Sequence, residues 1–290
     1  RIDFCDIDPE TLLIDFKELR NKLAKSRKGS YSGIIAVDFA GLAIQMDELK
    51  KIADDFGLWI LEDACHAPGG FYIDSNGEKQ NCGNCKNSDL AIFSFHPVKH
   101  ISCGEGGMIT TNNLNHYKLL LKLRSHGITK SKNELTENHG GWYYEMNDLG
   151  YNYRLTDISA AMGISQLNRA KGGVQKRADI AKIYFSELEH INGIKFYNKI
   201  HTGHAYHLLV IRAENRDKLY NYLHKQNIKV QVHYIPIHLQ PYYQKLGFKK
   251  GDYPVVENYY NHCLSLPIFP SLDEKEIRYI INKIKTFYNA

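Results

Sequence analysis

The stretch AIFSFHPVKHISCGEGGMITTN, Ala91–Asn112, carries an apolar strand pattern into a charged amine, Lys99, and then into a glycine-dense turn. A lysine at a strand edge can lay its methylenes on apolar surface and keep its ammonium in water. A lysine at the end of a buried strand can also be placed there for its chemistry, because desolvation shifts its pKa readily. Upstream, LWILEDACH, Leu58–His66, repeats the pattern: an apolar strand opens at its end into Asp63 and His66. A buried carboxylate without a partner is costly, so Asp63 must face a cation, a metal or backbone donors.

Around these two stretches the first half alternates strand-like and helix-like segments. IDFCDID (2–8), SGIIAVDFAG (32–41) and GGMITTN (106–112) read as further strands. PETLLIDFKELRNKLA (9–24), opened by Pro9, MDELKKIADDFG (46–57) and NHYKLLLKLRSHG (115–127) read as helices. Such alternation predicts an α/β fold with a mainly parallel sheet, whose functional groups gather at the strand ends. If neighbouring strands end on one side, Asp63, His66, Ser94 and Lys99 share a pocket. From Thr156 a long helical pattern leads away, with a break expected at Gly172-Gly173. Beyond it, GHAYHLLVIRA and KVQVHYI read as strands, and NRDKLYNYLHKQ and SLDEKEIRYIINKIKTFYN as helices. The expected organisation is a large domain over 1–154, a connecting helix over 155–190 and a small α+β domain over 191–290.

The 290 residues carry a formal charge of +5 with 24% charged side chains, ordinary for a globular protein. The one dense basic run, Lys25-Ser26-Arg27-Lys28, is too short for a nucleic-acid footprint. No apolar segment is long enough to span a bilayer, and the first residues lack a signal-peptide profile, so the expected location is cytoplasmic. Of six cysteines, Cys5, Cys65, Cys103 and Cys263 read as reduced structural thiols. Cys82 and Cys85 form C-G-N-C, half of a structural zinc site or a redox dithiol, and read best as a surface loop. No residue is assigned to a metal.

A lysine, a carboxylate and hydroxyl or imidazole donors in one pocket have a recognisable use. Pyridoxal phosphate takes a lysine for its Schiff base, a carboxylate for its ring nitrogen and donors for its phosphate. An exposed lysine amine, with a pKa near ~10.4, is mostly charged at neutral pH. Burial lowers that value, which gives the placement of Lys99 a reason.

Ordered along the chain are EDACHA (62–67), SFHPVKH followed by GEGG (94–107), GYNYRLTDISAAMGISQL (150–167), VQVHYIPIH (230–238) and LSLPIFP (264–270). Together they resemble the DegT-type sugar aminotransferases, within fold type I of the pyridoxal-phosphate enzymes, over essentially the whole chain. WYYEMNDLGYNYR (142–154), VDFAG (37–41) and VHYIPIHLQPYY (232–243) resemble the branch serving pseudaminic acid synthesis. That branch moves an amino group from glutamate, leaving 2-oxoglutarate, to C4 of a UDP-linked 4-keto-6-deoxy N-acetylhexosamine. Other nucleotide-sugar 3- or 4-aminotransferases are the alternative.

The resemblance implies these roles. Lys99 is the catalytic amine and proton carrier. Asp63 pairs with the pyridinium, His66 hydrogen-bonds the phenolate oxygen and Ser94 contacts the phosphate. Asn152 reaches phosphate or substrate across a homodimer interface, and Arg154 takes the donor's carboxylate. His233 and Tyr234 contact the nucleotide sugar. Bland readings compete at several positions: Arg154 pairing with Asp157, His233 and Tyr234 packing in a strand, Ser94 and His66 shaping turns. Family members also open with a segment whose backbone donors hold part of the phosphate, and nothing like it precedes Arg1. The resemblance therefore implies a fragment with an incomplete large domain and uncovered apolar strand faces. An inactive remnant or partner subunit that keeps the fold is the alternative of another kind.

Overall fold

The structure is a computed structural model that describes residues 1–197 and 201–289. In chain order its strands are β1 (Gly33–Val37), β2 (Trp59–Asp63), β3 (Phe71–Ile73), β4 (Lys79–Asn81), β5 (Leu90–Ser94), β6 (Gly107–Thr110), β7 (Ile128–Thr129), β8 (Glu145–Met146), β9 (Ile194–Phe196), β10 (Leu209–Ala213) and β11 (Cys263–Leu266). Its helices are α1 (Phe16–Lys25), α2 (Met46–Phe56), α3 (Leu114–Arg124), α4 (Asp157–Leu188), α5 (Arg216–Lys225), α6 (Pro241–Gln244), α7 (Pro254–His262) and α8 (Glu274–Asn289).

The central sheet has the order β1-β2-β5-β6. β1, β2 and β5 run parallel, with Val37 beside Asp63 and Asp63 beside Ile92, so all three end on one side. α2 buries Met46, Leu49, Ile52 and Ala53 at helical spacing and stops at Gly57, whose φ of +69° closes the C-terminal turn. These residues join Ile34, Ala36, Ile60, Ala64 and Ala67 in one apolar core. A second core is built on the antiparallel sheet β11-β10-β9. Ile211, Leu219, Leu223, Leu264 and Ile284 fill it with Tyr184, Phe185 and Leu188 from the end of α4. The α/β class of fold type I is observed, with its mixed sheet and flanking helices.

Several local expectations are corrected. Residues 2–8 form no strand; only Ile7 bridges to Ile14. The first helix starts after Asp15, whose carboxylate accepts from Lys17 N and Glu18 N, and not at Pro9. There the Asp8 carboxylate accepts from Glu10 N, Thr11 N and Thr11 Oγ1, a side-chain turn that outcompetes helix. β6 is antiparallel to β5, because the lysine-bearing turn sends the chain straight back beside the strand it left. α4 runs unbroken through Gly172-Gly173: an interior glycine costs only about 1 kcal/mol, and Gly173 sits against Pro270. Residues 229–235 contribute one bridge, Gln231 to Ser265, and no strand. Cys82 and Cys85 are buried, not on a surface loop, and both are free thiols.

Apolar side chains stand exposed on β1 and β2 (Ile35, Trp59), on β6 (Met108, Ile109) and along the first half of α4 (Ile158, Ile164, Leu167). No residue of α3 is buried. No described helix is long and apolar enough to cross a membrane.

Candidate active site

Two neighbouring strand ends and the turn beyond one of them supply the site. Asp63 closes β2; its backbone carbonyl accepts from Asp38 N at 3.0 Å, and its Oδ1 accepts from Cys65 N at 3.0 Å. Ser94 closes β5, and its Oγ accepts from His96 N at 3.3 Å, which leaves the hydroxyl proton free to donate. The loop that follows is tied at its base by Phe95 N to Gly106 O (2.9 Å) and Cys103 N to Phe95 O (3.0 Å). Lys99 sits in the turn beyond, its N–H on His96 O at 2.9 Å. Its side chain is half-buried. Burial pushes the Lys99 amine below its ordinary value, and the neighbouring Cys65 and Asp63 pull it part of the way back. The Cys65 thiol, pushed up to about 12 chiefly by burial, stays protonated beside it.

His66 is buried between both halves of the chain. Its Nδ1 accepts from Ala40 N at 3.3 Å, so the assigned neutral tautomer carries its proton on Nε2 and offers a donor. Burial, then Lys99 and His233, hold its pKa down to about 3. The His207 ring lies against it with centroids 4.4 Å apart, and His100 meets His207 edge-on at 5.4 Å. Gly41 makes this approach possible. At φ +100°, a Cβ there would stand 2.8 Å from His66 O, 3.0 Å from Tyr206 N and 3.1 Å from His207 N. Only glycine lets three backbone segments converge so closely. From the other side, the buried Arg177 of α4 donates Nη1 to Tyr206 O (3.1 Å), His207 O (3.4 Å) and Ile268 O (2.7 Å).

His233 reaches the same pocket. Its Nδ1 bonds Ser265 Oγ at 2.8 Å, and burial, then Lys99, lower its pKa. Tyr234 is half-exposed and its ring stacks toward His66 at 6.3 Å. Asn152 and Arg154 do not join the cluster. Both are exposed, and neither side chain makes a hydrogen bond or ion pair among the described residues, so Arg154 does not pair with Asp157. Their segment lies alongside the lysine loop, where a Cβ on Gly106 would meet Leu155 Cδ1 at 2.7 Å.

His100 and His207 were given no role by sequence reasoning. Both ring nitrogens of His100 and Nδ1 of His207 are buried without partners among the described residues. Orphaned buried polar atoms beside a lysine with a lowered pKa, a carboxylate and an imidazole N–H mark a site shaped for a polar group. The donor set fits pyridoxal phosphate: Asp63 for the ring nitrogen, His66 Nε2–H for the phenolate oxygen, Ser94 O–H for phosphate, Lys99 for the aldehyde carbon.

A family model described as the DegT/DnrJ/EryC1/StrS aminotransferase family matches residues 2–285. An uncharacterised protein of Methanocaldococcus jannaschii is 41% identical over 290 residues, covering 97% of this chain and 72% of its own length. The UDP-4-amino-4,6-dideoxy-N-acetyl-beta-L-altrosamine transaminase of Campylobacter jejuni is 33% identical, covering 99% of this chain and 75% of its own. Among solved structures, a Helicobacter pylori aminotransferase involved in the biosynthesis of pseudoaminic acid superposes with a TM-score of 0.86 at 27% identity. The match covers 99% of this chain and 73% of that one.

Proposed function

This chain belongs to the DegT/DnrJ/EryC1/StrS aminotransferase family, and on that premise we propose that it aminates C4 of a UDP-linked 4-keto-6-deoxy N-acetylhexosamine with glutamate as donor. It is a pyridoxal-phosphate-dependent sugar aminotransferase. The observation that carries the proposal is the meeting of Asp63, at the end of β2, and Lys99, in the turn beyond β5, with His66 and His233. The C4 assignment rests on the likeness of VDFAG, WYYEMNDLGYNYR and VHYIPIHLQPYY to that branch, with the named Campylobacter and Helicobacter relatives in support.

When bound, pyridoxal phosphate supplies the electron sink that lets an amino group leave one carbon and arrive at another. The chain's own residues do the rest. Lys99 Nζ, its pKa lowered by burial, would accept the proton lost from the donor's α-carbon and deliver one to C4 of the sugar. Asp63 would face the ring nitrogen, where a carboxylate favours a bound proton. His66, whose free ring nitrogen is a donor, would hydrogen-bond the phenolate oxygen. His233 and Tyr234 wall the sugar side of the pocket, and Phe39, 6.4 Å from Tyr234 between ring centroids, supports them.

The exposed apolar surface of α3 and of the first half of α4 exceeds the scattered residues a monomer shows, and it is best covered by a second copy. In such a dimer Asn152 and Arg154 of each chain serve the other's site, Arg154 offering a guanidinium fork to the glutamate carboxylate. We place the reaction in the cytoplasm. Incubating the loaded protein with glutamate and candidate UDP-keto-sugars tests the substrate reading. An amine at C4 supports it; an amine at C3, or product only from another nucleotide sugar, overturns it.

A further inference from the structure

Directly behind Asp63, on the opposite face of β2, the fold buries a second polar cluster that the aminotransfer chemistry does not use. Asp38, Glu62 and Cys82 are 0%, 3% and 9% exposed, and one ligand atom from each lies within 4.8 Å of the other two. Asp38 follows β1, Glu62 belongs to β2 and Cys82 follows β4, so three separate elements bring these groups together.

The neighbouring donors are only half sufficient. Ile44 N–H satisfies Asp38 Oδ1 at 2.9 Å, and Gly83 N–H satisfies Glu62 Oε1 at 2.8 Å. Glu62 Oε2 receives only a long contact from Ser88 Oγ at 3.4 Å. Asp38 Oδ2 is buried and has no partner, and no lysine, arginine or histidine pairs with either carboxylate among the described residues. Gly70 leaves room for the sulfur, since a Cβ there would stand 3.2 Å from Cys82 Sγ. Lone pairs on two carboxylates and a sulfur thus converge on one dry spot without a cation. Ionising these groups together without a cation would be strongly unfavourable.

We propose that Asp38, Glu62 and Cys82 form a structural site for a zinc-class divalent cation. The ligand set selects the metal class: a thiolate disfavours magnesium and calcium, while the mixed sulfur and oxygen donors suit borderline-soft zinc. Ligands around tetrahedral zinc stand roughly 3.5 Å apart, so binding draws the triad slightly inward. Burial raises the pKa of all three groups, so binding expels protons and strengthens as pH rises. The cation ties the ends of β1 and β2 to the loop after β4 and so stiffens the strand end that carries Asp63. The proposal is independent of the sugar substrate.

The test uses the full chain, stripped with a chelator and dialysed against zinc alone without pyridoxal phosphate. Elemental analysis should find one zinc per chain after gel filtration, with the same stoichiometry in Cys85→Ser. Cys82→Ser should weaken zinc binding by more than about a hundredfold. Cobalt in place of zinc should show thiolate-to-metal absorption, and zinc should protect Cys82 from alkylation, read by peptide mass mapping. These two readouts use the wild-type chain and decide the question even if Cys82→Ser fails to fold. Absence of stoichiometric zinc, unchanged affinity in Cys82→Ser, or an unprotected Cys82 overturns the proposal in favour of carboxyls that share a proton.

Discussion

The His207 imidazole lies 4.4 Å, centroid to centroid, from that of His66, joining the two halves of the chain directly beside Lys99. His66 faces Lys99, His233 and His207, and His100 faces Arg177, His66 and Lys99, and the charges that shift these rings are cationic. Burial leads in holding His66, His100 and His204 down to about 3, and it also lowers His207. An unfolded histidine titrates near ~6.5. Their neutral form therefore stabilises the fold fully above pH ~6.5, and that contribution is lost as pH falls toward 3. By pH 5 each contributes a loss on the order of 2 kcal/mol.

The first prediction is that the ring resonances of His66, His100 and His204 do not titrate between pH 7.5 and 5 in proton NMR. Asp38 and Glu62, raised by burial, oppose the stability slope, so stability is best compared with His100→Asn, which leaves both in place. That variant should lose on the order of 1–2 kcal/mol less than wild type between pH 6.5 and 5. Equal slopes in urea titrations would show that His100 is not held neutral.

The second prediction concerns Gly41. An alanine methyl would press on three backbone atoms at a φ of +100°, and none can move without opening the His66–His207 contact. Gly41→Ala should cost about 2–3 kcal/mol of stability and weaken pyridoxal phosphate binding at least about tenfold. Wild-type stability and affinity would show that the convergence is not needed.

Arg154 carries the third. Exposed and unpaired among the described residues, it should matter to catalysis and not to folding. Arg154→Lys keeps the charge but loses the two-pronged geometry. It should raise the KM for glutamate about tenfold or more, with the KM for the sugar nearly unchanged and the denaturation midpoint unmoved. A fall in stability without a change in KM would assign Arg154 to structure.

The relation of sequence to structure follows from where each contact originates. Asp63 and Ser94 were legible because each closes an apolar strand, and Lys99 because it follows the second of these within one turn, a purely local signal. His207 and His100 were not, since their meeting with His66 depends on residues 205–208, ahead of β10, docking beside Ala40 and Gly41 and on Arg177 holding Tyr206 and His207 from α4. Cys82 looked like half of a C-x-x-C site. Its neighbours are instead the two carboxylates of β1 and β2, while the Cys85 sulfur turns to Thr110 O at 3.2 Å. Gly172-Gly173 suggested a break, yet packing along α4 outweighs two weak helix formers.

The most direct test is to treat the pyridoxal-phosphate-loaded protein with borohydride, digest it and locate the retained cofactor by mass spectrometry. The account predicts the cofactor's mass on the peptide containing Lys99 and on no other, and none retained in Lys99→Ala. Cofactor fixed to a different lysine, or not fixed at all in the wild type, would contradict it.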